Sequence, residues 1–276
     1  MPEKEIELNS GSFNKLRALI HQKTGITVAD NRKGLLQSRL RGRLRETQDI
    51  SFTSYLDRVT KDAGELQELI DRITTNETYC YRTPRIWDFF RDEFLPEFCA
   101  KKLPRPMRAW SAASSTGEEA HTIGIFCDDL RQNSAGFDYE VFGTDISSRV
   151  IKKAQDGRYV GKAIARLQRE QPALFERHMT GDKDAGFAVK PEVKSRLTFK
   201  LHNLIKPLGP TQKFDIVFLR NVLIYFSSVE QEQILRNVAR QMHPDAYLII
   251  GESESLTRLD TDFLQTSPLI YSLKTG

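Results

Sequence analysis

Apolar residues in the first 75 positions of this 276-residue chain recur at three- and four-residue intervals. Phe13, Leu16 and Ile20 share one face of a first helix, and Leu36, Leu40 and Leu44 form the stripe of a second. Ser51 is placed to cap a third helix carrying Tyr55, Leu56 and Val59, while Leu66, Leu69, Ile70 and Ile73 face one side of a fourth. Gly25, Gly64 and Thr74-Thr75-Asn76 supply the breaks. The pattern predicts an all-helical N-terminal domain over residues 1–75. A further helix starts at Thr83-Pro84, with proline at its first position. It sets Trp87, Phe90, Phe94 and Phe98 on one face, which calls for a large partner surface.

Beyond a basic, proline-containing connector at 101–106 the period changes. Short apolar runs at 107–110, 139–144, 214–219 and 247–250 alternate with helical patterns at 117–133, 147–156 and 229–242. That alternation predicts a parallel α/β sheet, closed by a strand pair at 263–264 and 269–273. Between about 157 and 202 the pattern differs. Helical residues precede a turn at 180–186, flanked by Phe187-Ala188-Val189 and then Leu197-Thr198-Phe199. This stretch reads as a helix plus a small antiparallel β insertion within the second domain, 76–276.

Composition excludes several classes of protein. With 39% hydrophobic and 28% charged residues the chain has ordinary globular composition, and no run of 18 apolar residues predicts a membrane span. The N-terminal stretch Met1-Pro2-Glu3-Lys4-Glu5-Ile6-Glu7 has no apolar core of a secretory signal. Three scattered cysteines, Cys80, Cys99 and Cys127, form no Cys-x-x-Cys pair. They argue for a reducing, cytoplasmic setting and against structural zinc or disulfides. The five histidines (His21, His121, His178, His202, His243) are isolated from one another, so no metal site is expected.

Candidate chemistry gathers at the strand ends, where open α/β sheets bind ligands. The first strand runs into Ser111-Ala112-Ala113-Ser114-Ser115-Thr116-Gly117-Glu118-Glu119. Its small side chains let a ligand approach the backbone, yet it is neither Gly-x-Gly-x-x-Gly nor a P-loop. A helix N-terminus ordinarily attracts phosphate, but Glu118 and Glu119 in that first turn would repel a pyrophosphate and suit a cationic ligand. The second strand ends Phe142-Gly143-Thr144-Asp145, with an acid where ribose hydroxyls are commonly held. Small turn, acidic helix start and ribose-binding acid together point to S-adenosylmethionine rather than NAD or ATP.

Four segments in order carry a family resemblance. Thr75-Asn76-Glu77-Thr78-Tyr79-Cys80-Tyr81-Arg82, the first turn from Trp110 to Glu119, Phe142-Gly143-Thr144-Asp145-Ile146 and Phe218-Leu219-Arg220-Asn221-Val222-Leu223-Ile224-Tyr225-Phe226 closely resemble the CheR chemotaxis methyltransferases. The likeness extends over nearly the whole chain. It implies a Rossmann-like, S-adenosylmethionine-dependent methyltransferase sheet with a β insertion, preceded by a helical domain that docks the receptor. The implied activity is esterification of chemoreceptor glutamates for sensory adaptation.

Carried over residue by residue, the resemblance assigns cofactor contacts to Asn76, Thr78, Arg82, Glu118, Asp145, Asn203, Leu204, Arg220 and Asn221. Arg82 and Tyr225 are the candidate catalytic residues, Tyr225 beside the transferred methyl unless it merely packs. The chain departs from the family pattern where several relatives have Phe-Phe ahead of the arginine matched by Arg82, at Thr83-Pro84-Arg85, and at Ala246 in place of a glycine; none of these changes replaces Arg82 or Tyr225.

Six cations lie between Arg32 and Arg45 with no acid until Glu46, and Arg32, Arg39 and Arg43 fall on one helical face. Such a run is usually a solvated face; the resemblance makes it a docking surface for the cytoplasmic domain of a chemoreceptor. Scant aromatic interleaving argues against nucleic acid. The expected enzyme is a monomer that does not insert into the membrane, and its β insertion is a candidate site for a receptor C-terminal tether peptide. Two alternatives stay open: a cofactor-binding adapter or sensor without methyl transfer, and a methyltransferase with a non-receptor acceptor.

Overall fold

The computed structural model describes residues 6–209 and 213–274; residues 1–5, most of the acidic N-terminal stretch, lie outside them. Four helices open the chain: α1 (Ser10–Thr24), α2 (Lys33–Glu46), α3 (Phe52–Lys61) and α4 (Ala63–Ile73). Ser51 accepts a hydrogen bond from the Ser54 N–H and Asp62 from those of Gly64 and Glu65, so side-chain caps set two of the helix starts. The apolar stripes read from the sequence, including Phe13, Leu16, Leu36, Leu40, Tyr55 and Leu69, meet in a separate small core.

The next helix is continuous but changes phase. α5 (Pro84–Phe89) passes through a π-helical turn, Phe90–Phe94, into α6 (Leu95–Ala100). The wider turn shifts the helical register locally, and Trp87, Phe90 and Phe94 are all buried. Trp87 stacks on Phe126 and Phe218 with ring centroids 5.9 and 5.7 Å away. This helix therefore packs against the main sheet, the large surface its aromatic face required.

That sheet has seven strands in the order β6-β2-β1-β7-β8-β10-β9. β1 (Met107–Ser111), β2 (Tyr139–Asp145), β7 (Phe214–Leu219) and β8 (Met242–Ile250) are parallel neighbours; β9 (Phe263–Ser267) and β10 (Ile270–Leu273) close it as an antiparallel pair. All six β7 residues are buried. α7 (Glu118–Asn133), α8 (Ser148–Asp156) and α12 (Ser228–Ala239) are the connecting helices.

The insertion holds α9 (Lys162–Glu170), α10 (Pro172–His178) and α11 (Pro191–Lys194) with a three-stranded antiparallel sheet. Its strands are β3 (Arg158–Tyr159), β5 (Gly186–Val189) and β4 (Met179–Asp182), in that spatial order. Leu197-Thr198-Phe199 does not join it. These residues begin β6 (Leu197–Leu201), which pairs parallel to β2 from Val141 to Asp145 as an edge of the main sheet. The alternating pattern of an edge strand looks the same whichever sheet it joins, so periodicity alone misplaced it.

The helical domain is fastened to the sheet on both sides of the strand ends. Gln67 donates to the Ile146 carbonyl, Ser148 donates to Asp71, and Arg149 donates to the Asp71 carbonyl. On the other side the Thr27 N–H donates to the Tyr225 carbonyl and Asn203 to that of Lys23. Gly25, at φ +77°, permits this approach: a Cβ there would lie 2.5 Å from Ile205 Cγ2.

Candidate active site

Strand order reverses between β1 and β7, and a cleft opens beyond their carboxyl ends, where open sheets place ligands. It encloses about 1070 Å³, its open mouth included. Three parts of the chain wall it. The helical domain contributes Ile26, Ile73 and Thr74; the linker contributes Thr75 to Tyr79 and Arg82; the sheet contributes its strand-end turns. Nine residues assigned from the resemblance line this one cleft: Asn76, Thr78, Arg82, Asp145, Asn203, Leu204, Arg220, Asn221 and Tyr225.

The β1–α7 turn folds as its small residues allow. The Ser115 and Ser147 N–H groups both donate to the Asp145 carboxylate at 2.9 Å. Asp145 is thus bound to the turn, while a carboxylate's acceptor sites outnumber these two bonds. Burial pushes its pKa up, and the backbone N–H bonds oppose that shift. Gly143 lies beside the turn, where a Cβ would meet Phe199 at 2.4 Å and Ser114 Oγ at 3.3 Å.

Glu118 departs from the expectation. It is buried outside the cleft lining, 4% exposed, and accepts a 2.7 Å hydrogen bond from the Thr116 hydroxyl. Burial pushes its pKa up. The chain enters α7 through Gly117 at φ +95°, and Glu118 is the first helical residue after that left-handed step. The adjacent Glu119 faces the cleft instead, where its carboxylate pairs with Arg220 at 2.9 Å and accepts from the Ser111 hydroxyl at 2.8 Å. The pair offsets its own charge, so the acidic helix start presents no bare carboxylate to a ligand.

Asp145 lines the cleft at the end of β2, where the sequence places the ribose-binding acid. Two buried polar atoms on lining residues, Ser114 Oγ and Arg220 Nε, have no hydrogen-bond partner among the described residues. Together with the small-residue turn, this unsaturated polar wall fits S-adenosylmethionine.

The methyl-transfer candidates stand toward the linker and the β7 end. The Arg82 guanidinium lies over the Tyr79 ring at 5.7 Å and pairs with no carboxylate among the described residues. Arg166 of α9 approaches the same ring at 5.8 Å. Tyr225 follows β7 in a short 3-10 turn, Leu223–Tyr225, and none of the described residues hydrogen-bonds to its hydroxyl.

The basic helix is not a uniform surface. Arg39 donates to the carbonyls of Ile73 and Thr74 and to the Thr75 hydroxyl, so it holds the linker where that linker walls the cleft. Burial pushes the Arg39 pKa down; Tyr225 opposes this and Arg32 adds to it, which sets the three in one locality. Arg43 makes a two-pronged ion pair with buried Glu65, at 2.9 and 2.7 Å, and reaches Glu46 at 3.0 Å. Arg39 and Arg43 are therefore committed inside the protein, and of the three cations assigned to docking Arg32 is the exposed one.

Two features escaped the sequence. Ile26 and Ile73 to Thr75 line the cleft from a domain read as docking alone. Glu254 organises the turn after β7; its sole linear signal is an acidic Gly251-Glu252-Ser253-Glu254 run at a strand end.

Fold and cleft together define a methyltransferase that uses S-adenosylmethionine. Residues 76–270 match the family described as CheR methyltransferase, SAM binding domain, and residues 11–74 match CheR methyltransferase, all-alpha domain. The chain is 32% identical over 272 residues to chemotaxis protein methyltransferase Cher2 of Pseudomonas putida, spanning 95% of this chain and 98% of that protein. The chemotaxis protein methyltransferase of Vibrio parahaemolyticus is 33% identical across 98% of this chain and 99% of its own length. That of Escherichia coli is 31% identical, covering 97% and 92%. The chain belongs to the CheR methyltransferase family.

Proposed function

We propose that this protein transfers a methyl group from S-adenosylmethionine to glutamate side chains of chemoreceptor cytoplasmic domains, giving glutamyl methyl esters for sensory adaptation. The observation that carries the reading is the joint cleft. Asp145, Asn76, Asn203 and Asn221 line its ligand space, and the side chains of Arg82 and Tyr225 stand in the same wall with no hydrogen-bond or ion-pair partner among the described residues.

A glutamate carboxylate, with pKa about 4.3, is already a nucleophile at neutral pH, so the protein needs no general base. Bound cofactor supplies an electrophilic methyl on a sulfonium; a carboxylate oxygen forms the new C–O bond as the S–C electron pair stays with sulfur. Opposite charges vanish in that step. A tight cation on the attacking oxygen would hold the ground state more strongly than the transition state. Arg82, spread over the Tyr79 ring, orients the incoming carboxylate without clamping it. Tyr225 supplies a directional hydroxyl.

The helical domain, residues 1–75, carries out two tasks in this reading. Arg39 secures the linker wall, and the exposed Arg32 meets the acidic face of a receptor. The insertion offers the outer edge of β4, to which a receptor tether peptide could add a strand. No helix among the described residues is long and apolar enough to cross a membrane.

The test uses methyl-labelled cofactor and a purified receptor cytoplasmic fragment. Alkali should release volatile label from the receptor, and Asp145→Ala should abolish transfer. Tight cofactor binding with no label on any receptor tried would instead support the adapter reading.

A further inference from the structure

The turn that follows β7 is held from outside the cleft. Its backbone leaves Leu219, passes through Asn221 in the left-handed region at φ 58°, and enters the 3-10 turn that ends at Tyr225. Three successive N–H groups, of Asn221, Val222 and Leu223, all point at the Glu254 carboxylate and donate to it at 2.8 Å. The Gly251 N–H adds a fourth bond at 2.6 Å.

Consecutive N–H groups arranged this way form an anion-binding nest, and here the protein fills it with its own side chain. Gly251 makes room: a Cβ there would lie 2.7 Å from Asn221 N, Asn221 Nδ2 and Glu254 Oε2 alike. Gln231 of α12 takes the opposite polarity and donates to the Leu223 and Phe226 carbonyls. Amides on one side and carbonyls on the other are thereby fixed. Glu254 is 9% exposed and lines no part of the cleft, whereas Asn221, Val222 and Tyr225 do.

We infer that Glu254 is a positioning residue for methyl transfer, its carboxylate holding the nest that aims Asn221 and Tyr225 into the cleft. The inference rests on the proposed methyl transfer for its kinetic consequence alone.

Glu254→Gln keeps the shape but replaces one acceptor oxygen with a donor, setting N–H against N–H at part of the nest. With receptor fragment, kcat should fall roughly 30-fold while the acceptor KM stays within about threefold, because docking contacts lie elsewhere. Cofactor affinity should weaken less than kcat, since Asp145 and the β1–α7 turn are untouched.

A second readout needs neither substrate nor cofactor. In amide-resolved NMR of the free full-length protein, the Asn221, Val222, Leu223 and Gly251 protons should move upfield on losing charge-assisted bonds. Gly251→Ala, which keeps the carboxylate but crowds it, should disturb the same four resonances and lower kcat in the same way.

Unmoved resonances, or a kcat equal to that of the unmodified protein, would overturn the inference. So would a kcat loss matched by equal losses in cofactor and acceptor binding, the mark of general unfolding. Absence of transfer by the unmodified protein would count against the proposed function, and the four resonances would still decide the clamp.

Discussion

Helix α2 and the linker at 74–82 both bring arginines to the region around the cleft, and they use them in opposite ways. On α2, Arg43 is spent on Glu65 and Glu46, and Arg39 on the linker carbonyls. In the linker, Arg82 has an aromatic ring beside it and no acid partner among the described residues. A guanidinium with satisfied partners contributes to structure, and one left unsaturated in a cleft wall is available to a ligand. Counting cations in a run cannot separate the two, since what differs is the partner and not the residue type.

The largest effect expected from this contrast is at Arg82. Arg82→Ala should lower kcat/KM roughly 100-fold or more, as for loss of a charge-complementary group in an active site. Stability should change by about 0.5 kcal/mol or less, because no ion pair is broken. A melting shift as large as the activity loss would erase the distinction drawn here.

Arg43→Ala should do the reverse. It strands Glu65, 5% exposed, and should cost about 2 kcal/mol, between an exposed pair and a fully buried one. Chemical denaturation checks the cost, with cofactor affinity unchanged. The deficit depends on pH with a definite sign. Hydrogen bonding to Arg43 holds the Glu65 pKa below the ordinary glutamate value. The pair's contribution is therefore complete above that value and lost as pH falls through the lowered one, so mutant and parent should converge in acid.

The smallest effect belongs to Arg32. Arg32→Glu should raise the receptor KM about three- to tenfold at low ionic strength, fading with added salt, with little change in stability. If reversal at Arg43 raised KM more than reversal at Arg32, availability would not be what sorts these cations.

Legibility followed the range of the interaction. The four helical stripes and the Ser51 cap depend on neighbours within a few residues, and all are present as read. Asp145 was legible because a strand end followed by an acid is a local pattern with a topological consequence. The expectation of a cationic ligand drew on Glu118 and Glu119 together, yet neither offers a bare charge: one is buried against Thr116, the other offset by Arg220 from more than a hundred residues away. S-adenosylmethionine was reached correctly, with Asp145 and the unsaturated polar wall as the better reason for it.

Periodicity, turn chemistry and four motif segments, all properties of adjacent residues, thus determined the helical domain, the parallel sheet and most of the residues that meet in the cleft. Tertiary structure alone decided which sheet β6 joins, which glutamate faces the cleft, which arginines are spent, and that Glu254 clamps the Tyr225 turn. Each of these depends on a partner distant along the chain, and the free energy of a charged or polar group is set by that partner and by burial, neither of which is written in the residue itself.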